Sequence, residues 1–203
     1  MSVPRPVGVA IAMIVLSGGL VRTASGQWAL SLDAQRSAYG GTSKDTSDGA
    51  HGSARPSRTM ALTMRFSRPL GRATTALGVR VAKAGFVIDA PGVYVGLMGE
   101  FKFIEFLPEV SWRVARTSRG ATLDLYGGPV LGVWTYEDFG GRFVPGATAG
   151  LQGVFPICSR LSLSLRIGGS LMRSVFREIE VPPEVVLHPM RRSEISLGLR
   201  YGR

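Results

Sequence analysis

The chain has 203 residues, which suits one domain, and carries 24 Lys and Arg against 14 Asp and Glu, a formal charge of +10. Charged residues make up only 19% and glycines number 27, whereas a soluble domain usually has about 25% charged residues. Cys158 is the only cysteine, which excludes a disulfide within the chain, and with His51 and His188 as the only histidines no zinc-ligand spacing exists. No metal or cofactor is expected.

Residues 1–26 read as a secretory signal peptide. Arg5 supplies the positive start, residues 7–21 the apolar core, and Ala24 and Gly26 the small residues before a cut at Gln27. The competing reading is a membrane anchor, but the stretch is short for a span of ~20 residues and contains Gly18 and Gly19. Residues 27–203 then form one domain.

From residue 28 onward the sequence alternates. Residues 28–39 put Trp28, Leu30, Leu32, Ala34 and Ala38 on one face and Asp33 and Gln35 on the other. A Gly- and Ser-rich polar loop, 40–56, follows. Residues 58–66 alternate Met60, Leu62, Met64 and Phe66 with Thr59, Ala61, Thr63 and Arg65, and 75–84 set Leu77, Val79 and Val81 against Gly78, Arg80 and Ala82. Residues 85–99 are expected to be a loop around Asp89 and Gly92, with strand character open at 93–97. Residues 101–115 carry Ile104, Phe106, Val110, Trp112 and Val114 against Glu105, Glu109 and Arg113. Residues 123–136 form a strand interrupted at Gly127, Gly128 and Pro129, and 143–155 one rich in small residues. The cleanest signal is 160–171, R-L-S-L-S-L-R-I-G-G-S-L, running on to about Val175. Strict period-two alternation over this length is a strand with one apolar and one polar face. A loop at 176–190 and a last alternating strand, 191–201, complete the chain. Short turns at 67–72, 116–120 and 156–160 mostly alternate with longer connections. Eight strands of about ten residues in this layout predict an all-β fold, an eight-stranded antiparallel up-and-down transmembrane β-barrel.

A soluble barrel alternates in the same way with its faces inverted. The polar face decides: it is mostly Ser, Thr, Gly and Ala, where a soluble surface would carry about 25–35% charged side chains. It also holds five acids, Asp33, Glu105, Glu109, Asp124 and Glu194, and five arginines, Arg65, Arg80, Arg113, Arg166 and Arg200. That balance suits a narrow lumen, where buried charge has to be paired. Trp28, Phe66, Trp112, Phe155 and Tyr201 share the apolar parity at strand ends on the short-turn side, the position of an interfacial aromatic girdle. Arg36, Arg58, Lys83, Lys102, Arg173 and Arg191 have the outward parity at the opposite ends. There they would meet lipid phosphates or simply snorkel to water. The positive charge is thus accounted for without nucleic acid, for which no basic helix or stacking platform is present.

Three stretches, 122–134 (T-L-D-L-Y-G-G-P-V-L-G-V-W), 160–171 and 194–201, resemble the small outer-membrane β-barrel family, the OmpA/OmpX-like membrane domains. The resemblance implies a bacterial outer-membrane location. It also implies recognition of the last strand by the outer-membrane assembly machinery, for which 197–201 fits, although Gly202 and Arg203 follow the aromatic. Outer-membrane lipids, lipopolysaccharide among them, are the expected partners. His51-Gly52-Ser53 is similar to the H-x-S arrangement of lipid A deacylases, but it sits in a polar loop without an acid at that family's spacing. No catalytic residue is assigned. Asp45 and Asp48 read as solvated loop acids rather than calcium ligands. The expected role is structural or surface-interacting, without enzymatic activity. The alternatives are a narrow channel for ions or small solutes, a lipid-modifying enzyme, and a soluble lipocalin-like carrier.

Overall fold

The computed structural model of the chain describes residues 28–40, 43–45, 53–90, 93–136, 140–176 and 185–202. The signal-peptide residues, His51 and Asp48 lie outside them. In chain order the strands are β1 (Ala29–Tyr39), β2 (Ser43–Asp45), β3 (Ser53–Pro56), β4 (Thr59–Leu70), β5 (Ala73–Ala90), β6 (Val93–Arg116), β7 (Thr122–Tyr136), β8 (Gly140–Pro156), β9 (Leu161–Met172), β10 (Val185–Leu187) and β11 (Met190–Gly202). Eight long strands form the wall in the order β1, β4, β5, β6, β7, β8, β9, β11, each antiparallel to its neighbours, and β1 pairs with β11 to close it. Closure leaves no edge along the body of the sheet, the condition for crossing hydrocarbon. Following partners from Ala34 in the two directions reaches β7 at Val133 and at Leu123, ten residues apart. That stagger is the shear that tilts the strands.

The tight ends follow from local chemistry. β4 and β5 are joined by Gly71 and Arg72, with Gly71 at φ 69°, a conformation that costs glycine no Cβ clash. β6 and β7 turn through residues 117–121, held by Thr117 N donating to Ala121 O at 2.8 Å.

The structure corrects several sequence expectations. Residues 85–99 are not a loop: β5 runs to Ala90 and β6 starts at Val93, with Phe86 opposite Leu97 and Asp89 opposite Tyr94. Apolar residues occur at both parities there, so no period-two signal survives, and a register shift between Ala84 and Phe86 breaks the count. The loop read at 40–56 contains β2 and β3, and the loop read at 176–190 contains β10, which pairs with β2. β9 ends at Met172 rather than near Val175. β7 is unbroken through Gly127, Gly128 and Pro129. By the register on either side Pro129 opposes Pro108, and the β6–β7 ladder opens between the pairs Phe106–Leu131 and Val110–Gly127. Neither proline has an N–H to give, so the gap falls where the ladder lacks two donors.

The faces are inverted relative to a soluble barrel. Outward Leu32, Ile104, Ile167 and Leu197 are 53–59% exposed, whereas Arg80 and Glu105 are fully buried. The soluble carrier considered above requires the opposite arrangement. A belt of exposed Leu, Ile, Val, Met and Phe around a charged interior is stable only in a hydrocarbon solvent.

Leu165 sits outward between Leu197 and Gly153. Leu165→Arg places a charge in this belt, at a cost of about 2–4 kcal/mol near mid-membrane. The expected result is loss of the heat-shifted folded band on gels of the membrane fraction; normal assembly would mean that the faces are reversed.

Candidate functional site

Alternation carries one residue in two from every wall strand into the lumen, and the strand stagger sets which of them meet. The result is two layers with different chemistry.

The layer nearer the short turns is ionic. Glu105 on β6 accepts from Arg80 on β5 (Nη1 to Oε2, 2.7 Å) and from Arg192 on β11 (Nη1 to Oε1, 2.8 Å). Both arginines also contact Glu194, at 3.2 Å from Arg80 Nη2 and 3.4 Å from Arg192 Nε. A second group sits beside it. Arg65 on β4 donates to Asp33 on β1, and through Nε to Glu109 at 3.2 Å, while Arg166 on β9 donates to Glu109 at 2.9 Å. Ser164 completes Asp33 at 2.9 Å. Gln35 extends the first group, donating to Glu194 at 2.9 Å and accepting from Thr63 at 3.5 Å, while Thr63 in turn accepts from Arg80 at 3.4 Å. Four arginines thus face four carboxylates, all at most 9% exposed.

Tyr126 completes the layer. Its hydroxyl donates to Glu194 at 3.4 Å, and the Arg166 guanidinium lies 3.8 Å from its ring centroid. Space for the ring end comes from β9, where a Cβ on Gly168 would stand 2.2 Å from the Tyr126 hydroxyl oxygen. The glycines that look like weak strand formers in the sequence are therefore the room into which this side chain folds.

Of the ten side chains assigned to a lumen network from sequence, the structure joins seven: Asp33, Arg65, Arg80, Glu105, Glu109, Arg166 and Glu194. Arg113 and Asp124 form a separate pair nearer the short-turn mouth, 3.9 Å apart, with the Arg113 side chain 34% exposed. Arg200 lines a small polar cleft there with Ser31, Gln152 and Glu109. Arg192 belongs to the network and was missed. Its signal was present, since it shares the parity of Glu194 two residues on. Arg142 is also buried, donating to Val175 O; it precedes the strand that the sequence predicts at 143–155.

The layer nearer the loops is apolar. Tyr39, Phe101, Phe103, Leu107, Val130, Trp134, Val144, Met172, Val175 and Met190 are buried together with Ala84. Phe103 stacks on Trp134 with centroids 4.3 Å apart, and Phe101 and Tyr39 meet Trp134 edge-on. The sequence did not reveal this plug, because its residues have the inward parity read as polar.

On the outside, Trp28, Phe66, Trp112, Phe155 and Tyr201 are each 46–56% exposed toward the short-turn end. Trp28 stacks on Phe66 at 4.5 Å, and Arg68 lies over Trp28 at 5.6 Å. Arg36, Arg58, Lys83, Lys102, Arg173 and Arg191 are exposed on the outer surface of the other half. Lys83 and Lys102 are direct cross-strand partners. His188 is exposed, and Cys158 is exposed in the β8–β9 turn.

A closed eight-stranded wall with an apolar exterior and a filled, charged lumen defines a small transmembrane β-barrel, the fold of the eight-stranded outer-membrane proteins. No protein-family model matches the chain, and no curated protein matches it in sequence. Solved structures do. Neisserial surface protein A aligns with a TM-score of 0.53 at 12% identity, covering 86% of this chain and 96% of its own. Outer membrane protein AlkL, solved in lipid bilayers, aligns at 0.52 and 14%, covering 92% of this chain and 95% of its own.

Glu105 bridges two buried arginines, so Glu105→Gln leaves both short of counter-charge. Breaking a buried pair in this way costs about 3–5 kcal/mol. Arg113→Ala, at a partly exposed pair, is expected to cost under about 1 kcal/mol. Urea unfolding in lipid vesicles, followed by the gel shift, should separate the two variants; equal midpoints would sink the account of the inner layer.

Proposed function

We propose that the protein is an integral barrel of the bacterial outer membrane, without enzymatic activity, whose role is structural or surface-interacting. The observation that carries this reading is the double closure of the lumen. The ionic layer engages side chains of β1, β4, β5, β6, β7, β9 and β11 at once, and the aromatic plug closes the half above it. A barrel of eight strands is narrow enough for side chains to fill, and here two different packings fill it. What remains for contact is the loop end, where residues 40–56 and 176–190 lie, and the outer wall.

The outer wall sets the partners. Trp28, Phe66, Trp112, Phe155 and Tyr201 anchor the short-turn end at the inner leaflet's interface, where amphipathic rings are favoured. Arg36, Arg58, Lys83, Lys102, Arg173 and Arg191 meet phosphate groups of the outer leaflet, lipopolysaccharide included, through charge-assisted hydrogen bonds. Leu197, Leu199 and Tyr201 on the last strand present the alternating apolar face to the outer-membrane assembly machinery. The resemblance in fold to outer-membrane proteins supports the location.

A narrow channel is the second reading, and one observation favours it. Glu109 Oε1 and Arg166 Nε and Nη1 are buried without a hydrogen-bond partner among the described residues. Such groups bind water, so a thin wet path through the ionic layer is the competitor.

Planar-bilayer recording decides between the two. The purified protein is expected to leave a bilayer silent, with the heat-shifted band and outer-membrane fractionation showing that it is folded and in place. Steady conductance whose ion selectivity changes in Arg166→Ala would replace the closed barrel with the channel.

A further inference from the structure

The three short turns are basic. Residues 67–72, 116–121 and 156–160 hold five arginines, Arg68, Arg72, Arg116, Arg119 and Arg160, and no acid. All five are exposed. Two of them flank one place on the outer wall, where the first strand closes against the last. Tyr201 on β11, Leu30 on β1 and Phe66 on β4 are cross-strand partners in one row. Trp28 shares the face of Leu30 and stacks on Phe66, with ring centroids 4.5 Å apart. Arg68, two residues beyond Phe66 on the same face, lies over the Trp28 ring at 5.6 Å. Arg160 is tied to the end of β11 through its carbonyl, which accepts from Gly202 N at 3.0 Å.

Among these groups lies an open groove of about 370 Å³, lined by Trp28, Leu30, Phe66, Arg160, Tyr201 and Gly202. That volume lies within the range of small-molecule sites, roughly 300–1,000 Å³. Its apolar side chains have surface to offer, since Trp28, Leu30, Phe66 and Tyr201 are each 45–56% exposed. The two arginines stand on opposite sides of it, Arg160 just before β9 and Arg68 on β4, with β11 and β1 between. The residue that follows Gly202 in the sequence, Arg203, is a further cation. The lining contains no carboxylate, and Arg68 already lies over the Trp28 ring. The groove thus has nothing to pair with an ammonium head and two guanidinium groups to pair with an anion.

We propose that this groove holds an anionic phospholipid of the inner leaflet. An acyl chain lies along Leu30 and Phe66, the glycerol backbone sits at the level of Trp28 and Tyr201, and the phosphate pairs with Arg160 and Arg68. Amphipathic rings belong at that depth. The chain exchanges lipid contacts for aromatic and aliphatic ones, so selection rests on the head. There the phosphate gains charge-assisted bonds at an interface where they are stronger than in bulk water, and cationic side chains at a membrane surface favour anionic over zwitterionic lipid. The bound lipid touches side chains on both sides of the β1–β11 seam at once. The inference rests on the membrane placement proposed above.

Tryptophan quenching tests it, because only three tryptophans are present: Trp28 lines the groove, Trp112 is exposed outside it at the same end, and Trp134 is buried in the plug as a constant background. The Trp112→Phe protein reports Trp28, and the Trp28→Phe protein reports Trp112. Each would be placed in phosphatidylcholine nanodiscs holding a minor fraction of acyl-brominated lipid, either phosphatidylglycerol or phosphatidylcholine. Brominated phosphatidylglycerol is expected to quench Trp28 as though enriched about fivefold or more over brominated phosphatidylcholine, one arginine at a membrane surface being enough for that factor. Trp112 should show a clearly smaller preference. Arg68→Ala with Arg160→Ala should bring Trp28 to the level of Trp112, whereas Arg68→Lys with Arg160→Lys should keep most of the preference, the heat-shifted gel band reporting folding throughout. Equal preference at Trp28 and Trp112 would overturn the site, leaving only a general attraction to the basic turns. So would a Trp28 preference unchanged by the double alanine variant. Absence of quenching at both tryptophans by either lipid would overturn the membrane reading itself, and the site with it.

Discussion

Glu105 lies between Arg80 and Arg192 inside a wall whose outer face is hydrocarbon, and the rest of the structure depends on keeping it there. In a soluble domain a misplaced carboxylate finds water. Here the outward alternative is lipid, and a strand that slips by one residue carries its whole polar face into the membrane. Ion pairs of this kind are weak evidence for net stability, since apolar side chains of similar volume often do as well. Glu194 on the last strand meets Gln35 on the first and Arg80 on the third wall strand, so the network is satisfied only when the ends of the chain close in one register.

The apolar plug answers a different constraint. Nearer the loops the wall departs from a regular ladder, with a register shift at Ala84 and Phe86 and the loss of pairing beyond Gly146. A layer of directional ion pairs requires fixed geometry, whereas packed aromatic and aliphatic side chains tolerate small displacements of the strands that carry them. Trp134, with Phe103 stacked on one face and Phe101 and Tyr39 at its edges, fills the half of the lumen nearer the loops.

Much of this was legible in the sequence because period two is a strong signal where one face is apolar and the other is small or charged. The stretch from Leu161 to Leu171 shows its faces without ambiguity, and the same rule applied two residues before Glu194 would have found Arg192. The signal failed where physics permits apolar residues on both faces. Phe101 and Phe103 point inward while Ile104 and Phe106 point outward, so the strand gives a nearly continuous apolar run with its partition hidden. The hairpin from Phe86 to Leu97 failed for that reason and because of its register shift. Gly127, Gly128 and Pro129 look like a break only if their partner is ignored. Opposite Pro108, which has no N–H to donate, a proline at 129 falls where the ladder is already interrupted.

The positive charge of the chain is the last feature to place, and the two layers explain why it is external. The lumen network is neutral, four arginines against four carboxylates, because an uncompensated charge there has neither water nor lipid phosphate to answer it. Most of the excess is carried by exposed side chains at strand ends and turns, Arg36, Arg58, Lys83, Arg173 and Arg191 among them, while Arg142 is buried against the Val175 carbonyl. Lys83 and Lys102 face one another across β5 and β6 at such a position. Like charges directly opposed destabilise a sheet in water, and under the lipid contacts proposed above anionic headgroups would offset that repulsion. The same sequence feature that would be a defect in a soluble β-protein is, on this wall, consistent with the solvent that its faces were built to meet.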